Sequence, residues 1–558
     1  MSARTGMAEA ASIDTSATLV PRLLTELLDE AVGRHPDWRA IDFLGKVTTY
    51  RALGQAVDRA ARGLQELGLK PGDRFGLCLP NTPYFPILYF AALRVGAVIV
   101  PFNPLYVAGE LEHQIRDSGT RMMAVPDLRK LHDTLLEVAD RTGLERVIVC
   151  PMADILPWKL SLGFRLFKRR EHARVPSDAR HVSFRTLVAN DGAPAPVAQT
   201  PDDLAVLQYT GGTTGIPKGA MLSHANLAAN SRQMEIHVGP HPDEQERTIG
   251  VLPMFHVFAL TTVLNYSIDT AAEMILLPRF DLKQLLATIH RTRPTQFFGV
   301  PTIYVAINAV PEADLPDFST VKCCISGGAP LPLEVREAFE RRTGTIVVEG
   351  YGLSEAAPII ACNPLTGPVK DNSAGPDFPL TTIEIRSLDD PKVVLPIGQR
   401  GEVCARGPQV MRGYWNKAEE TDAAFVDGAL RTGDVGYLDE ERYLFLVDRI
   451  KDVILCGGHN VYPRTIEEAL YQHPAVKEAI AIGIPDAYRG QAPKAFVTLR
   501  EGVDVSDEAL CTFLSSRINK LDMPRRIEVR ETLPKTLIGK LSRKELVAEE
   551  QARFEAQR

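Results

Sequence analysis

The chain has few cysteines and no pair of them in the Cys-x-x-Cys spacing. Eight cysteines are scattered among 558 residues, at positions 78, 150, 323, 324, 362, 404, 456 and 511. This pattern indicates neither a zinc site nor a disulfide framework, because both need cysteines at short, repeated spacings. We therefore expect a protein of a reducing cytoplasm.

The sequence also lacks an excess of basic residues and a long apolar run. It has 63 lysines and arginines against 70 aspartates and glutamates, a formal net charge of −7, which argues against a nucleic-acid partner. The longest apolar stretch, Phe85 to Phe102, is interrupted by Arg94 and is too short to span a bilayer. Met1 to Val20 has no basic start followed by an apolar segment, so we expect no signal peptide.

What the sequence does contain is a repeated alternation of strand and helix patterns. At 558 residues the chain exceeds one hydrophobic core, so two or more domains are expected. The alternation predicts an α/β fold with layered parallel sheets flanked by helices. After Arg449-Ile-Lys451-Asp452 the pattern changes to that of a small α+β unit. We therefore predict a large N-terminal domain over residues 1–450 and a lid domain over residues 451–558.

One stretch, Tyr209 to Gly219, has the composition of a phosphate-binding loop. It contains four glycines, three threonines and Lys218, directly after the apolar run 204–207. Glycines let backbone N–H groups turn toward an anion because no Cβ blocks the approach, and the hydroxyls and the ammonium add donors. The spacing differs from that of P-loop NTPases, since Gly219 follows the lysine. The stretch predicts a polyphosphate site, with a solvated loop as the alternative.

Two loops and one histidine extend this hypothesis. The loops 326–330 and 349–355 each follow an apolar run, and ligands of α/β sheets bind at the C-terminal ends of strands. Glu355 offers the hard oxygen ligand that Mg²⁺ requires, although a glutamate that caps a surface helix is the alternative. His256 lies in an apolar, aromatic setting, where a core histidine is the simpler interpretation and a catalytic one the alternative.

Two single charges nearer the C-terminus are candidates for the same site. Asp434 lies in the turn 431–434 and would expose one carboxylate, of the kind that holds a ribose diol. Lys540 lies in a loop between a glycine and a basic helix start, where position alone would predict a solvated charge.

An insertion at 155–176 interrupts the α/β pattern. Its aromatic and aliphatic residues stand beside a basic cluster, namely Trp158, Leu160, Leu162, Phe164, Leu166 and Phe167 followed by Lys168, Arg169, Arg170 and Arg174. Such a segment can lie on an anionic membrane surface. An ordinary packed insertion with a solvated basic end is the alternative.

Together these segments resemble the adenylate-forming superfamily, which comprises acyl-CoA synthetases, adenylation domains and luciferases. The resemblance extends over about residues 25–550, and the motifs occur in order with the expected separations. The closest likeness is to bacterial long-chain fatty-acid–CoA ligases. It is carried by the runs Gln208–Gly215, Glu349–Pro358 and Gly407–Trp415 and by the basic insertion.

The resemblance implies an ATP site. The loop 209–219 would hold the phosphates, Thr210 and Glu355 would lie near Mg²⁺, and Tyr351 would stack on the adenine. The implied ATP-binding residues are Thr210, Gly211, Gly212, Thr213, Thr214, Gly215, Lys218, Gly328, Ala329, Pro330, Tyr351, Gly352, Ser354, Asp434 and Arg449, of which Asp434 and Arg449 would bind the ribose. Gly212 and Ser354 depart from the commonest pattern, which has Ser and Thr at these positions, and both retain the main chemistry.

The resemblance also implies an acyl site and a mobile lid. Lys540, Glu355 and His256 would be the catalytic residues, with His256 beside the acyl carboxylate. The implied acyl pocket consists of Phe258, Gly299, Val300 and Gly352. Relatives that use acetate carry a tryptophan in place of Gly352, so glycine would leave room for a long acyl chain. Lys451 would be the hinge, and Gly458 would line the tunnel for the pantetheine of CoA.

The implied activity is that of an ATP-dependent long-chain fatty-acid–CoA ligase that uses Mg²⁺ and forms acyl-AMP before the CoA thioester. A medium-chain or aryl-acid CoA ligase, a fatty-acyl-AMP ligase of the same fold, and a non-catalytic binding protein on the same scaffold are the alternatives. The expected partners are small molecules. Peripheral contact of 155–176 with the inner face of the membrane and a homodimer are left open.

Overall fold

The computed structural model describes residues 19–210, 217–239, 244–456, 459–486, 489–520, 522–536 and 540–556. The strands are β1 (Arg39–Phe43), β2 (Lys46–Thr49), β3 (Arg74–Leu77), β4 (Val98–Pro101), β5 (Thr120–Pro126), β6 (Arg146–Cys150), β7 (His181–Ser183), β8 (Leu204–Thr210), β9 (Lys218–Ser223), β10 (Arg247–Gly250), β11 (Glu273–Leu276), β12 (Gln296–Gly299), β13 (Cys323–Gly327), β14 (Val348–Gly352), β15 (Ile359–Cys362), β16 (Thr382–Arg386), β17 (Gly401–Arg406), β18 (Phe425–Val426), β19 (Ala429–Leu438), β20 (Leu444–Arg449), β21 (Ile454–Cys456), β22 (His459–Val461), β23 (Val476–Asp486), β24 (Gly490–Leu499) and β25 (Ile527–Val529).

Helices alternate with these strands. They are α1 (Leu24–Arg34), α2 (Tyr50–Glu66), α3 (Tyr84–Arg94), α4 (Ala108–Ser118), α5 (Arg129–Thr142), α6 (Met152–Ile155), α7 (Trp158–Phe167), α8 (Phe184–Leu187), α9 (His224–Val238), α10 (Val257–Ala259), α11 (Tyr266–Asp269), α12 (Leu282–Thr292), α13 (Pro301–Asn308), α14 (Leu333–Thr343), α15 (Ala418–Ala423), α16 (Pro463–Tyr471), α17 (Asp507–Ser515) and α18 (Arg543–Ala556). A π-helical turn at Leu260–Asn265 joins α10 to α11. Short 3-10 turns lie at Arg169–Glu171, Glu312–Asp314, Ser354–Ala356 and Ile450–Asp452.

Two sheets of mainly parallel strands form the N-terminal part of the molecule. One has the order β15-β14-β13-β12-β10-β11-β1-β2, and the other has the order β7-β6-β5-β3-β4-β8-β9. The pairs β1–β2, β14–β15 and β8–β9 are antiparallel. Because β12, β13 and β14 are parallel neighbours, the loops that follow them lie at the same edge of the sheet.

A third sheet and a small C-terminal sheet complete the fold. The antiparallel order β16-β17-β19-β18, with β20 paired to β19, leads to the C-terminal order β22-β21-β24-β23, with β25 parallel to β24. Helices α16 and α18 pack on β23, and α17 packs on β25. The predicted fold class, a large layered α/β part with parallel sheets and a small α+β C-terminal part, is confirmed.

The apolar stretch at 85–102 lies in the core. Every residue from Tyr84 to Leu93 in α3 is buried, and β4 is buried along its whole length. Parallel strands are covered on both faces, which explains why this run shows no polar alternation. Within the described ranges, no helix is long and apolar enough to cross a membrane.

The insertion at 155–176 forms α7 and the 3-10 turn that follows it, and α7 contributes no buried residue. Trp158 and Phe167 are 74% and 85% exposed. The ring of Phe164 lies 4.5 Å from that of His172, so α7 contacts the segment that follows the 3-10 turn.

Candidate active site

The two ends of the predicted phosphate loop lie side by side in a β-hairpin. Thr210 at the end of β8 pairs with Lys218 at the start of β9. Ser223 ends β9 and caps α9, where its hydroxyl accepts a hydrogen bond from Asn226 N–H. The other residues predicted for this loop, Gly211, Gly212, Thr213, Thr214 and Gly215, lie outside the described residues.

Glu355 lies in the turn Ser354–Ala356, which follows β14 and packs against β8 and β9. Its carboxylate Oε1 accepts a hydrogen bond of 2.7 Å from the hydroxyl of Tyr414. Its backbone oxygen accepts one of 2.7 Å from Met411 N–H. The hairpin and the turn thus bring Thr210, Lys218 and Glu355 to the same region.

The residues of this region fit Mg²⁺ bound together with a nucleotide. In the part of the chain that the structure describes, no group of three or more His, Cys, Asp or Glu side chains could hold a metal ion by itself. Mg²⁺ in nucleotide sites usually takes one or two carboxylates, and substrate phosphates and water complete its octahedron. The carboxylate of Glu355 and the hydroxyl of Thr210 satisfy that requirement.

Three residues predicted to bind the nucleoside form a hydrogen-bonded cluster. The hydroxyl of Tyr351 donates to Asp434 Oδ2, and Arg449 Nε lies 3.0 Å from Asp434 Oδ1. Asp434 and Arg449 are also partners in the β19–β20 ladder. Burial, reinforced by the charge of Asp434, raises the pKa of Tyr351 well above its usual range, so the phenol remains a donor.

The predicted loop Gly328-Ala329-Pro330 follows β13 and meets the C-terminal part of the chain. Gly328 has a φ of 81°, a left-handed conformation that favours glycine. A Cβ at Gly328 would lie 2.8 Å from Cε of Lys540. Lys540 therefore reaches the strand ends of the large sheet.

Lys540 closes a small cavity at this point. The cavity has a volume of about 10 Å³ and is lined by Leu252, Pro253, His256, Phe258, Val300, Gly328 and Lys540. Burial, with the charge of Arg449 as a second cause, lowers the pKa of Lys540 to about 8. Burial, followed by the charge of Lys540, lowers the pKa of His256 to about 3.

His256 is therefore neutral at physiological pH, and its hydrogen bond assigns its tautomer. Nδ1 caps α10 by accepting a hydrogen bond of 3.2 Å from Phe258 N–H. Because Nδ1 is the acceptor, the proton of the neutral ring lies on Nε2. The ring is a hydrogen-bond donor through Nε2 and does not act as a base through Nδ1.

The residues predicted for the acyl pocket fall into two groups. Phe258 and Val300 line the cavity, which has room for about one water molecule, and Gly299 directly precedes Val300. A Cβ at Gly352, in contrast, would lie 2.1 Å from the carbonyl oxygen of Pro358. The backbone before β15 therefore occupies the space into which a side chain at 352 would project.

The predicted hinge residue Lys451 lies in the 3-10 turn Ile450–Asp452, between β20 and β21. Asp452 Oδ2 pairs with Arg543 Nη1 at 3.0 Å, so the turn is tied to the start of α18. Gly458, predicted to line the CoA tunnel, lies outside the described residues.

Two residues near the site carry no predicted role, although both lie in the motif runs. Tyr414 contacts Glu355, and Lys218 Nζ lies 4.4 Å from the centre of its ring. Glu349 accepts a hydrogen bond of 3.0 Å from Leu331 N–H, and burial raises its pKa to about 7. In the sequence, the position of Tyr414 between Gly413 and Trp415 was the one indication of its importance. For Glu349 the indication was an acidic residue in an apolar strand.

Comparisons with known protein families give two matches. Residues 28–415 match the AMP-binding enzyme family, and residues 465–540 match the AMP-binding enzyme C-terminal domain. The chain therefore belongs to the AMP-binding enzyme family.

Individual relatives match over nearly the whole chain. The long-chain-fatty-acid–CoA ligase of Bacillus subtilis (strain 168) is 40% identical over 533 residues, which cover 95% of each chain. The protein of the same name from Escherichia coli O6:H1 (strain CFT073) is 38% identical over 534 residues, or 94% of each chain. The structure of ATP-bound MatB from Rhodopseudomonas palustris matches with a TM-score of 0.83 and 29% identity, covering 95% of this chain and 99% of that one. The predicted superfamily and enzyme class, an AMP-forming acyl-CoA synthetase, are confirmed.

Proposed function

We propose that the protein is an ATP-dependent long-chain fatty-acid–CoA ligase. The observation that carries this proposal is the position of Lys540 beside Gly328, next to the cluster of Tyr351, Asp434 and Arg449. Burying an ammonium is costly unless a negative group accompanies it. The phosphates of ATP, bound beside Lys540, would supply this negative charge.

In the first step, a carboxylate oxygen of the fatty acid attacks the α-phosphorus of ATP, and pyrophosphate leaves. Both reactants are anions, so the barrier is largely electrostatic. Lys540 and Lys218 would stabilise the developing charge, and one such donor typically contributes about 10²–10³ in rate. Mg²⁺, held by Glu355 and Thr210, would supply further positive charge to the phosphates. Neutral His256 would orient the acyl carboxylate by donating from Nε2.

In the second step, the CoA thiolate attacks the carbonyl carbon of acyl-AMP, and AMP leaves. Lys540 occupies the space beside Gly328, so the same surface cannot also admit the thiol. We therefore propose that residues 451–558 form a lid that turns about Lys451 relative to residues 1–450. The separate hydrophobic core of the C-terminal part, which begins at Ile454, supports this division. Gly458 would then line the thiol channel.

An assay with ATP, CoA and acids of graded length tests the proposal. We expect pyrophosphate release and a CoA thioester, with efficiency rising from hexanoate toward palmitate, because each buried CH₂ contributes about 0.8 kcal/mol. A preference for benzoate would indicate an aryl-acid ligase, and acyl-AMP without thioester would indicate a fatty-acyl-AMP ligase. Absence of pyrophosphate release would refute the function.

Substitution of Lys540 separates the two half-reactions. Lys540→Ala should abolish the formation of acyl-AMP and still convert supplied acyl-AMP to thioester. Lys544→Ala, on an exposed position of α18, is the matched control and should retain both reactions. Normal adenylation by Lys540→Ala would contradict the role of this lysine.

We further propose that the protein is cytoplasmic and that α7 contacts the anionic inner face of the cell membrane. Trp158, Leu162 and Phe167 are 74%, 53% and 85% exposed, and the basic residues 168–170 follow directly. Exposed apolar side chains beside basic ones match a bilayer that carries negative head groups.

Co-sedimentation with vesicles tests this contact. We expect binding to phosphatidylglycerol vesicles, little binding to phosphatidylcholine vesicles, and loss of binding in the variant Trp158→Ala/Phe167→Ala. Ile397→Ala, which removes an apolar side chain that is 52% exposed elsewhere, is the control. Equal binding by the double variant and the control would overturn the proposal. A homodimer is a separate proposal, and sedimentation velocity tests it.

A further inference from the structure

The segment 409–415, from the motif run Gly407–Trp415, lies beside β9 like an additional strand. Trp415 N–H donates to Gly219 O at 2.8 Å, and Met221 N–H donates to Gly413 O at 2.9 Å. A third bond of 3.1 Å runs from Arg412 N–H to Met221 O. The segment is therefore bonded to the strand that begins with Lys218.

The same segment is bonded to the turn that carries Glu355. Met411 N–H donates to Glu355 O at 2.7 Å. The segment thus connects the two chain regions that carry the predicted phosphate-binding lysine and the predicted Mg²⁺ ligand.

Buried hydrogen bonds hold the segment in place. The side chain of Gln409 is fully buried; its amide donates to Ile359 O at 3.1 Å and to Thr381 Oγ1 at 2.7 Å, and its oxygen accepts from Gln233 at 3.1 Å. A buried amide with all these partners is costly to displace.

The turn before Tyr414 is equally restricted. Gly413 has a φ of 139°, and a Cβ there would lie 2.4 Å from the methyl group of Thr421. The N–H of Tyr414 donates to Thr421 Oγ1 at 2.9 Å. The backbone of Tyr414 therefore has little freedom to move relative to β9 or the Glu355 turn.

The side chain of Tyr414 bridges the two functional groups. Its hydroxyl donates to Glu355 Oε1 at 2.7 Å, and Lys218 Nζ lies 4.4 Å from the centre of its ring. Tyr414 is 9% exposed, so little water competes for its hydroxyl or its ring face. An ammonium over an aromatic face is attracted by the ring quadrupole.

The two groups that Tyr414 contacts carry opposite charges. An ammonium and a carboxylate on neighbouring backbone segments would otherwise be free to pair directly, and each would then be less available to a ligand. Within the described structure, the ammonium of Lys218 lies on the ring face and Oε1 of Glu355 lies on the hydroxyl.

We propose that Tyr414 is a positioning residue that holds Glu355 and Lys218 apart and aims both at one Mg²⁺–triphosphate. The proposal rests on the proposed function, since it assigns the carboxylate to the metal and the ammonium to the phosphates. Groups that orient a metal ligand typically contribute about 10–100-fold to metal affinity.

Equilibrium binding of ATP, without acid or CoA, tests the proposal independently of turnover. Isothermal titration calorimetry measures the dissociation constant of ATP at a series of Mg²⁺ concentrations. From this series we take the Mg²⁺ concentration at which half of the Mg²⁺-dependent gain in ATP affinity is reached. Tyr414→Phe keeps the ring and removes the hydroxyl, so we expect this concentration to rise about 10-fold or more, while ATP binding in EDTA stays near that of the wild type. Tyr414→Leu also removes the ring under Lys218 and should weaken ATP binding in EDTA as well.

The structure offers a matched control in Tyr443. Its hydroxyl donates to Pro368 O at 2.7 Å, and Lys370 Nζ lies 4.6 Å from the centre of its ring. Tyr443→Phe therefore removes a hydroxyl from a tyrosine that also has a lysine ammonium over its ring but does not bond to Glu355. We expect wild-type Mg²⁺ dependence, and equal shifts for Tyr443→Phe and Tyr414→Phe would overturn the proposal.

A double-substitution cycle tests whether Tyr414 acts through Glu355. The Mg²⁺ dependence of Tyr414→Phe/Glu355→Gln should equal that of Glu355→Gln alone, whereas independent effects would add. Thr421→Val loosens the backbone of Tyr414 without changing its ring, and it should shift the Mg²⁺ requirement in the same direction by a smaller factor. It provides the test if Tyr414→Phe folds poorly.

The outcomes separate this proposal from the proposed function. A wild-type protein whose ATP binding ignores Mg²⁺ would refute both. Mg²⁺-dependent binding in the wild type, with unchanged dependence in Tyr414→Phe and Thr421→Val or with additive effects in the cycle, would refute the role of Tyr414 alone.

Discussion

Burial sets the protonation of the side chains at the centre of the site. It lowers the pKa of Lys540 to about 8 and that of His256 to about 3, and it is the largest cause in both cases. An ordinary lysine keeps its charge throughout the range in which enzymes are assayed. Lys540 instead changes its charge within that range, so the pH dependence of the activity reports its protonation state.

We expect adenylation to slow as the pH rises through about 8, because Lys540 loses its proton there instead of near 10.5. The profile of kcat/KM for ATP–pyrophosphate exchange measures this, since it reports the pKa of the free enzyme. Lys540→Arg stays charged over the same interval, so its alkaline decline should disappear even if its rate is lower. A decline that persists in Lys540→Arg would assign the titration to another group.

The same shift has a consequence for stability. The unfolded chain binds more protons than the folded one between about pH 8 and pH 10.5. The contribution of Lys540 to the free energy of unfolding therefore increases as the pH rises through this interval.

The close contact at Gly352 predicts a loss of stability on substitution. A Cβ at this position would lie 2.1 Å from the carbonyl oxygen of Pro358, so the backbone must shift in Gly352→Ala. Overpacking of this kind typically costs about 1–3 kcal/mol of the free energy of unfolding. Gly33→Ala in α1 is the control, because a Cβ there meets no atom within 4 Å. Denaturant unfolding should show the loss only in Gly352→Ala; equal stability of both variants would contradict the contact.

At the scale of strands and helices, local pattern predicted the elements and their edges well. The apolar run at 85–102 forms a buried helix and strand because such a run can be covered only inside the molecule. The loops at 326–330 and 349–355 are neighbours because β13 and β14 are parallel. Both outcomes follow from rules that relate sequence pattern to sheet geometry.

Contacts between distant, irregular segments could not be predicted in this way. No periodicity specifies that Lys540 meets Gly328; the family resemblance implied only that both belong to the ATP site. The bridge from Tyr414 to Glu355 depends on the segment 409–415, which has no repeating pattern of its own and takes its course from bonds to β9. The side-chain space at Gly352 likewise depends on the path of the chain before β15.

The turn at Lys451 predicts a selective effect of proline. Proline fixes φ near the value of a 3-10 turn, which is the conformation of Ile450–Asp452 in the structure. Lys451→Pro should therefore retain ATP–pyrophosphate exchange and lose thioester formation, because the proposed rotation about Lys451 needs a different backbone conformation there. Comparing the two half-reactions measures this, and equal loss of both would count against the hinge.

At the scale of the whole molecule, the contact between the N-terminal and C-terminal parts of the chain buries Asp448 and partly buries Glu349. Asp448 at the end of β20 accepts a hydrogen bond of 2.9 Å from Arg464 N–H at the start of α16. Burial raises its pKa to about 6. Burial raises the pKa of Glu349 in β14 to about 7, and the positive charge of Arg464 opposes this rise. The attachment of the C-terminal part is therefore coupled to pH through both groups.

Glu349 should make the protein less stable as the pH rises toward neutrality. Its folded pKa of about 7 lies above the ordinary value of 4.5, so its contribution is fully present below 4.5 and is lost as the pH rises through about 7. Glu349→Gln removes this titration, and its amide oxygen can still accept the hydrogen bond from Leu331 N–H. The melting temperature of Glu349→Gln relative to the wild type should therefore increase between about pH 5 and pH 8.

The control for this measurement is Glu337→Gln, on an exposed position of α14. Its melting temperature should differ from that of the wild type by the same amount at every pH. If Glu349→Gln also showed a constant difference, the carboxyl group would titrate alike in the folded and unfolded states. The contact between β14 and the C-terminal part would then leave Glu349 hydrated, contrary to the raised pKa that its surroundings impose.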